Sequence, residues 1–187
     1  FLVTSGDLVN DDSLAGALAT SATATSDVGS YGITQGTLSN SNYAITYAGA
    51  DLSVTQRAIT VTADAKSRIY GDANPALTYQ LTSGNLVNDD SLTGALVTTA
   101  TTASGVGTYG ITQGTLANAN YAITYAGADL SVTQRAITVT ADAKSRVYGD
   151  ANPALSYSVG GLGLVNGDTL AGGLATSAAQ GSGVGGY

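Results

Sequence analysis

The sequence predicts an all-β protein: a tandem array of small β-rich modules, each an Ig-like β-sandwich or a β-grasp-like sheet, stacked end to end as an extended rod. Three observations carry that reading. Arg57-Ala58-Ile59-Thr60-Val61-Thr62-Ala63-Asp64-Ala65-Lys66-Ser67-Arg68 returns unchanged as residues 135–146, a spacing of 78, and Tyr31, Tyr109 and Tyr187 share it; self-similarity at a fixed period marks a repeat architecture. Within a copy, apolar residues recur with period two, the signature of half-buried strands, rather than with the 3.6 of a helix. Turn residues punctuate the chain at the close spacing of a small all-β module. Residues 1–56 read as the C-terminal part of one module, 57–134 as a complete module and 135–187 as the N-terminal part of a third; they are called copies 1, 2 and 3 below.

In copy 2 each element follows from local pattern. Ile59 and Val61 alternate with Thr60 and Thr62, and Leu77, Tyr79 and Leu81 alternate with Thr78 and Gln80, so each set places one apolar face inward. Further strands are expected at residues 68–70, 92–98, 109–112, 121–125 and 128–133. The breaks between them carry turn chemistry: Gly71-Asp72-Ala73-Asn74-Pro75, Asn88-Asp89-Asp90-Ser91, Ala103-Ser104-Gly105, Gln113-Gly114 and Ala126-Gly127. A second reading of residues 86–96 is a helical turn capped by Asp89 or Asp90. The boundary between copies 1 and 2, residues 52–63, contains no Gly or Pro. Apolar residues fall on even positions before it (Leu52, Val54) and on odd ones after it (Ile59, Val61), which moves burial to the opposite face. One module's last strand is therefore expected to run almost directly into the next module's first, with a bulge or twist near Gln56-Arg57.

Composition narrows the function classes. The 187 residues include no Cys, His, Met or Trp, all 13 acids are Asp, and only 10% are charged. Without His, Cys or Glu, the common metal ligands, thiol nucleophiles and near-neutral proton shuttles are missing, and no enzyme is expected. A net charge of -7 has the wrong sign for nucleic acid. No apolar run approaches the length of a membrane span. Any export signal is expected outside these residues.

The acidic loops are the one place where ligand chemistry has candidates. Asn10-Asp11-Asp12, Asn88-Asp89-Asp90 and Asn166-Gly167-Asp168 share one repeat position, and oxygen-rich loops suit calcium; Asp11, Asp12, Asp89, Asp90 and Asp168 are the calcium candidates. None fits an EF-hand or an Asp-rich nonapeptide repeat, and a plain Asx or Asn-Gly turn accounts for all three. Paired Asp residues serve glycosidases, but catalysis needs one unique constellation and these acids recur in register. Asp64 and Asp72, four residues either side of Arg68, are expected to pair with Lys66 or Arg68 at the surface. Tyr70, Tyr79, Tyr109, Tyr121 and Tyr125 are candidates for sugar stacking, yet with no Trp and one Phe they are needed as large core side chains. Thr60-Val61-Thr62 is too sparse for an ice-binding lattice, and Lys66 and Lys144 lack the Glu of an isopeptide cross-link. No catalytic or cofactor residue is assigned.

The segments 58–63, 68–79 with its Tyr70-Gly71-Asp72-Ala73-Asn74-Pro75 core, 86–96, 107–109 and 120–125 together resemble the MBG domain (mostly β, glycine-rich, YGX type). The resemblance implies tandem, non-catalytic repeats of large bacterial surface adhesins similar to filamentous haemagglutinin, and it transfers no ligand site. The function it implies is a structural repeat segment of a secreted or cell-surface fibre, a rigid stalk or self-assembling filament; the alternative is a calcium-rigidified or glycan-binding module. Expected partners are neighbouring repeats of the same chain, or other copies by strand addition, with host or matrix surfaces engaged by regions outside these residues and without nucleic acid or membrane insertion.

Overall fold

A computed structural model describes residues 2–187, and every regular element among them is a strand. In chain order these are β1 (Ala19–Thr20), β2 (Gly29–Thr34), β3 (Ala50–Val54), β4 (Arg57–Ala63), β5 (Lys66–Ile69), β6 (Tyr79–Ser83), β7 (Val97–Thr98), β8 (Gly107–Thr112), β9 (Tyr121–Ala126), β10 (Ala128–Thr133), β11 (Ile137–Ala141) and β12 (Tyr157–Gly161). Thr, Val, Ile and Tyr in alternation suit a pleated, half-buried surface, and Asn10, Asn88 and Asn166, with glycines such as Gly71 and Gly94, take the left-handed backbone that turns require. The chain divides into two compact units.

The first unit takes in Phe1–Thr62, Gln80–Ala95 and Gly114–Ala126. It holds an antiparallel sheet of order β1-β2-β3 and a sheet of order β6-β4-β9. β4 runs parallel to β9, with Ile59 opposite Ile123 and Val61 opposite Tyr125. Ile59 and Val61 are buried with Leu38, Leu116 and Tyr121, while Thr60 and Thr62 are half-buried on the other face, as the alternation requires. Only Thr55 and Gln56 separate β3 from β4, which lie in different sheets. The change of parity at the module boundary is thus the point where the chain leaves one sheet for another.

The second unit comprises Ala63–Tyr79, Leu96–Gln113 and Gly127–Tyr187. Its main sheet has the order β5-β10-β8-β7. The interior strand β10 lies parallel to β5, with Leu130 opposite Lys66 and Val132 opposite Arg68, and antiparallel to β8, with Leu130 opposite Tyr109. Leu130, Val132, Ile111, Leu96, Ala100 and Ala63 are buried here. β11 and β12 form a separate antiparallel pair. Strand direction is mixed in copy 2, a property that alternation of side chains does not encode.

Several local expectations change. The strand expected at 92–98 contracts to β7 plus a single bridge from Thr93 to Ala117, because Gly94 adopts φ +88 and a methyl group there would collide with the Thr115 carbonyl oxygen. The strand expected at 68–70 is centred earlier, on β5, and Leu77 lies ahead of β6. The alternative helical turn at 86–96 is not formed: Asn88 and Asp89 have φ of 56 and 59, the wrong hand for a right-handed helix.

Burial raises the Tyr125 pKa above its ordinary 10.0. The folded state therefore holds the phenolic proton longer than the unfolded chain, and this contribution is intact below pH 10 and lost as pH rises through the folded value. Tyr125→Phe is expected to flatten the alkaline fall in stability, measured as urea midpoints at pH 9 and above.

Candidate functional site

Each acidic loop forms one and the same tight turn. Asn10 and Asp11, with φ of 55 and 57, and Asn88 and Asp89 occupy the two central positions, and Asn166 with Gly167 (φ 55 and 79) does so in copy 3. The turns close through Asp12, Asp90 and Asp168, whose backbone N–H groups donate to Val9, Val87 and Val165 carbonyls at 3.0 Å each. Two successive left-handed residues make a type I′ turn, for which Asn-Gly and Asn or Asp pairs are preferred. The Gly of copy 3 thus suits the turn at least as well as the Asp it replaces.

The second acid of each complete loop has a protein partner. The Tyr121 hydroxyl donates to Asp90 Oδ2 at 2.9 Å and accepts the Val87 N–H at 2.9 Å. In copy 1 the Tyr43 hydroxyl donates to Asp12 Oδ2 at 3.1 Å and accepts the Val9 N–H at 2.7 Å. The carboxylate and tyrosine latch the turn to the first residue of β9 in copy 2 and to the equivalent Tyr43, which is not in a strand, in copy 1. Asp11, Asp89 and Asp168 are exposed, and among the described residues no three acidic side chains gather in a geometry that would hold a metal ion. Tyr121→Phe is expected to destabilise by about 1–2 kcal/mol, because it strands the part-buried Val87 amide and an Asp oxygen together; thermal unfolding measures it.

Of the five tyrosines in copy 2, Tyr121 is buried and the other four are half-buried, the distribution expected of core and half-core side chains. The hydroxyls of Tyr31, Tyr109 and Tyr187 each donate to the carbonyl four residues upstream, at 2.8, 2.9 and 2.9 Å. They brace their own loops.

The surface pairing expected of Arg68 and Asp72 is not what forms. Lys66 lies 4.0 Å from Asp64, but Arg68 is 7% exposed, the one buried charged side chain among the described residues, and Asp72 pairs instead with Arg135 of the next copy at 3.0 Å. Arg68 Nε donates to Asn74 Oδ1 at 2.8 Å, Nη1 to the Ile69 carbonyl at 3.2 Å and Nη2 to the Thr101 carbonyl. Asn74 Nδ2 in turn donates to the Ala100 carbonyl at 2.6 Å. The guanidinium fork needs several acceptors in fixed positions, and an Asn six residues on supplies one while anchoring the 100–101 loop. Copy 3 repeats the clamp with Arg146, Asn152, Ala178 and Ala179. The recurrence of Arg and Asn at this spacing in both copies was the available signal.

The model of the MBG domain (YGX type) matches residues 1–53, 59–131 and 137–187. The chain belongs to the MBG domain (YGX type) family. Searches of curated proteins and of solved structures gave no match. In this array of MBG repeats the Tyr70-Gly71-Asp72 segment of copy 2 lies at the seam with copy 3. In the second unit, Arg135 donates to the Tyr70 carbonyl at 3.2 Å as well as to Asp72 and to the Leu162 and Gly163 carbonyls. Gly71, at φ +86, packs so closely on copy 3 that a methyl group would sit 2.5 Å from Val165 Cγ2, whereas the equivalent Gly149 meets nothing within 4 Å. In the first unit the seam uses other residues: Asn120 bonds the Asp27 carboxylate at 2.7 Å and the Val28 N–H at 2.9 Å, and Gln56 donates to the Ala119 carbonyl at 3.0 Å. Specific side-chain contacts thus cross the seam between MBG repeats in each unit.

Proposed function

We propose that this chain is a non-catalytic spacer segment of a secreted or cell-surface bacterial fibre, in which MBG repeats hold one another in fixed succession and carry an adhesive region elsewhere in the parent protein. The observation that supports this reading is the seam: a two-residue connection between β3 and β4, and side chains that bond across successive copies in each unit. Short, bonded connections restrict bending between modules. Near-identical copies also repeat the same carboxylates in register, which suits a scaffold better than a single catalytic constellation. Extracellular placement fits a cysteine-free chain whose polar surface is carried by Thr, Ser and Asn, and it comes from the kind of protein that the family resemblance implies.

The test places a fluorophore pair one repeat apart, on residues 104 and 182 of the full chain. A narrow distance distribution supports the spacer, and a broad one overturns it. Calorimetry with calcium and a glycan array on the same chain are expected to be silent; a calcium Kd below about 1 mM, in the range of extracellular modules, would replace this reading with a calcium-rigidified one. Substitution at the seam gives a further expected result. Gly71→Val is expected to cost about 1–3 kcal/mol more than Gly149→Val, since the two share the left-handed backbone penalty and only the first overpacks against Val165. Urea denaturation of the two variants measures the difference.

A further inference from the structure

The first and last strands of copy 2 are paired in a way that suits a chain under tension. β4 lies parallel to β9, and β5 parallel to β10. Arg57 stands opposite Tyr121 and Lys66 opposite Leu130, a separation of 64 residues in each pair. One register thus serves both pairs, although β4 and β9 belong to one sheet and β5 and β10 to another. Only Asp64-Ala65 separates β4 from β5, and only Gly127 separates β9 from β10. Further bonds continue the pairing past the strand ends. The Arg57 N–H donates to the Asn120 carbonyl at 2.9 Å, the Tyr70 N–H to the Thr133 carbonyl at 2.9 Å, and the Thr133 hydroxyl to the Arg68 carbonyl at 3.2 Å.

All four strands lie within copy 2, with further chain on either side. The backbone enters the copy at the start of β4 and leaves it beyond the end of β10. Tension along the chain therefore pulls the earlier strand of each pair toward its N-terminal end and the later strand toward its C-terminal end. In a parallel pair these are opposite directions along one evenly spaced ladder, so its bonds are loaded together. Two strands pulled apart from the same end would instead lose their bonds one at a time.

We propose that the two parallel pairs form a shear clamp, through which the repeat resists extension when its parent fibre is pulled. The β4–β9 ladder spans six residue pairs and the β5–β10 ladder four. One strand of each pair is also held from its other side, β4 by β6 and β10 by β8. Ile59 and Val61 of β4, and Leu130 and Val132 of β10, are buried, which keeps water from one side of each ladder. A slip by one residue would turn these four side chains out of the core, so the ladders cannot creep along one another under load. The clamp rests on the spacer reading for the source of the tension, and on copy 2 alone for its geometry.

The chain contains no Cys, so introduced cysteine pairs give unique handles for optical tweezers. In the full chain, Thr55→Cys with Ala126→Cys loads β4 and β9 from opposite ends, whereas Thr55→Cys with Ala119→Cys loads them from the same end. All three positions are exposed, so both variants keep the buried core and its equilibrium stability. At one loading rate the opposite-end variant is expected to open at a force at least about twice that of the same-end variant, because shear breaks several ladder bonds together and peeling breaks them singly. Equal forces, or a higher force for the same-end variant, overturn the proposal. The outcome is separable from that of the fluorophore test. Equal forces with a narrow distance distribution sink the clamp and leave the spacer standing, and a higher opposite-end force with a broad distribution does the reverse.

Discussion

Leu130→Ala is expected to destabilise the protein by about 3–4 kcal/mol, whereas Leu52→Ala, the same position of the repeat one copy earlier, is expected to cost less than about 1 kcal/mol. Leu130 is wholly buried at the centre of a four-stranded sheet, between β5 and β8. Truncation there removes the transfer free energy of the side chain and leaves a cavity among Ile111, Val132 and Leu96 that the interior strand is not free to close. Leu52 sits on a sheet edge at 41% exposure, so a large part of its surface is already in water and truncation leaves no enclosed cavity. Urea denaturation of the two variants decides the matter. Equal losses would mean that β10 is not the centre of its sheet.

Arg68→Ala is expected to cost about 2–3 kcal/mol and Arg146→Ala less than about 1 kcal/mol, although Arg146 makes the bonds equivalent to those of Arg68 and one more, to the Gln180 carbonyl. Arg68 is enclosed, and its loss leaves Asn74 and the Thr101 carbonyl without their donors. Arg146 is only half-buried, and water takes over much of its role. Arg68→Lys is expected to recover little, since an ammonium cannot span Asn74 and the Ile69 and Thr101 carbonyls as a planar fork does. Hydrogen exchange at residues 100–104 separates a local release of the loop from global unfolding. Protection there that survives Arg68→Ala would sink the clamp.

The local grammar of the fold was legible in the sequence. The alternation of Ile59 and Val61 with threonines identified β4 and its buried face, the Asn-Asp and Asn-Gly pairs identified the turns, and the Gly-free, Pro-free boundary identified a direct hand-over between modules. Each is a property of a few consecutive residues. Arg68 was misplaced at the surface because charge alone argues for exposure, and only the convergence of Asn74 and two carbonyls makes its burial tolerable. The partner of Asp72 was misassigned for a related reason: Arg135 lies far along the chain and reaches it only across a seam. The contraction of the 92–98 strand turns on one carbonyl, that of Thr115, facing Gly94.

Copies that share a sequence separate what the chain encodes from what packing adds. Asn42-Tyr43-Ala44-Ile45-Thr46-Tyr47 and Asn120-Tyr121-Ala122-Ile123-Thr124-Tyr125 are identical, yet only the second forms a strand, β9, because β4 lies beside it. Lys66-Ser67-Arg68 is a strand beside β10, and Lys144-Ser145-Arg146, in register with it, is not. The type I′ turns and the tyrosine braces, by contrast, recur in all three copies. By itself the amino-acid sequence determined the repeat, the period-two alternation and the turns, since these depend on side-chain order and on backbone preferences within a few residues. Tertiary structure decided which extended segments become strands, their direction and which arginine is buried, because strand hydrogen bonds and burial require a partner from elsewhere in the chain.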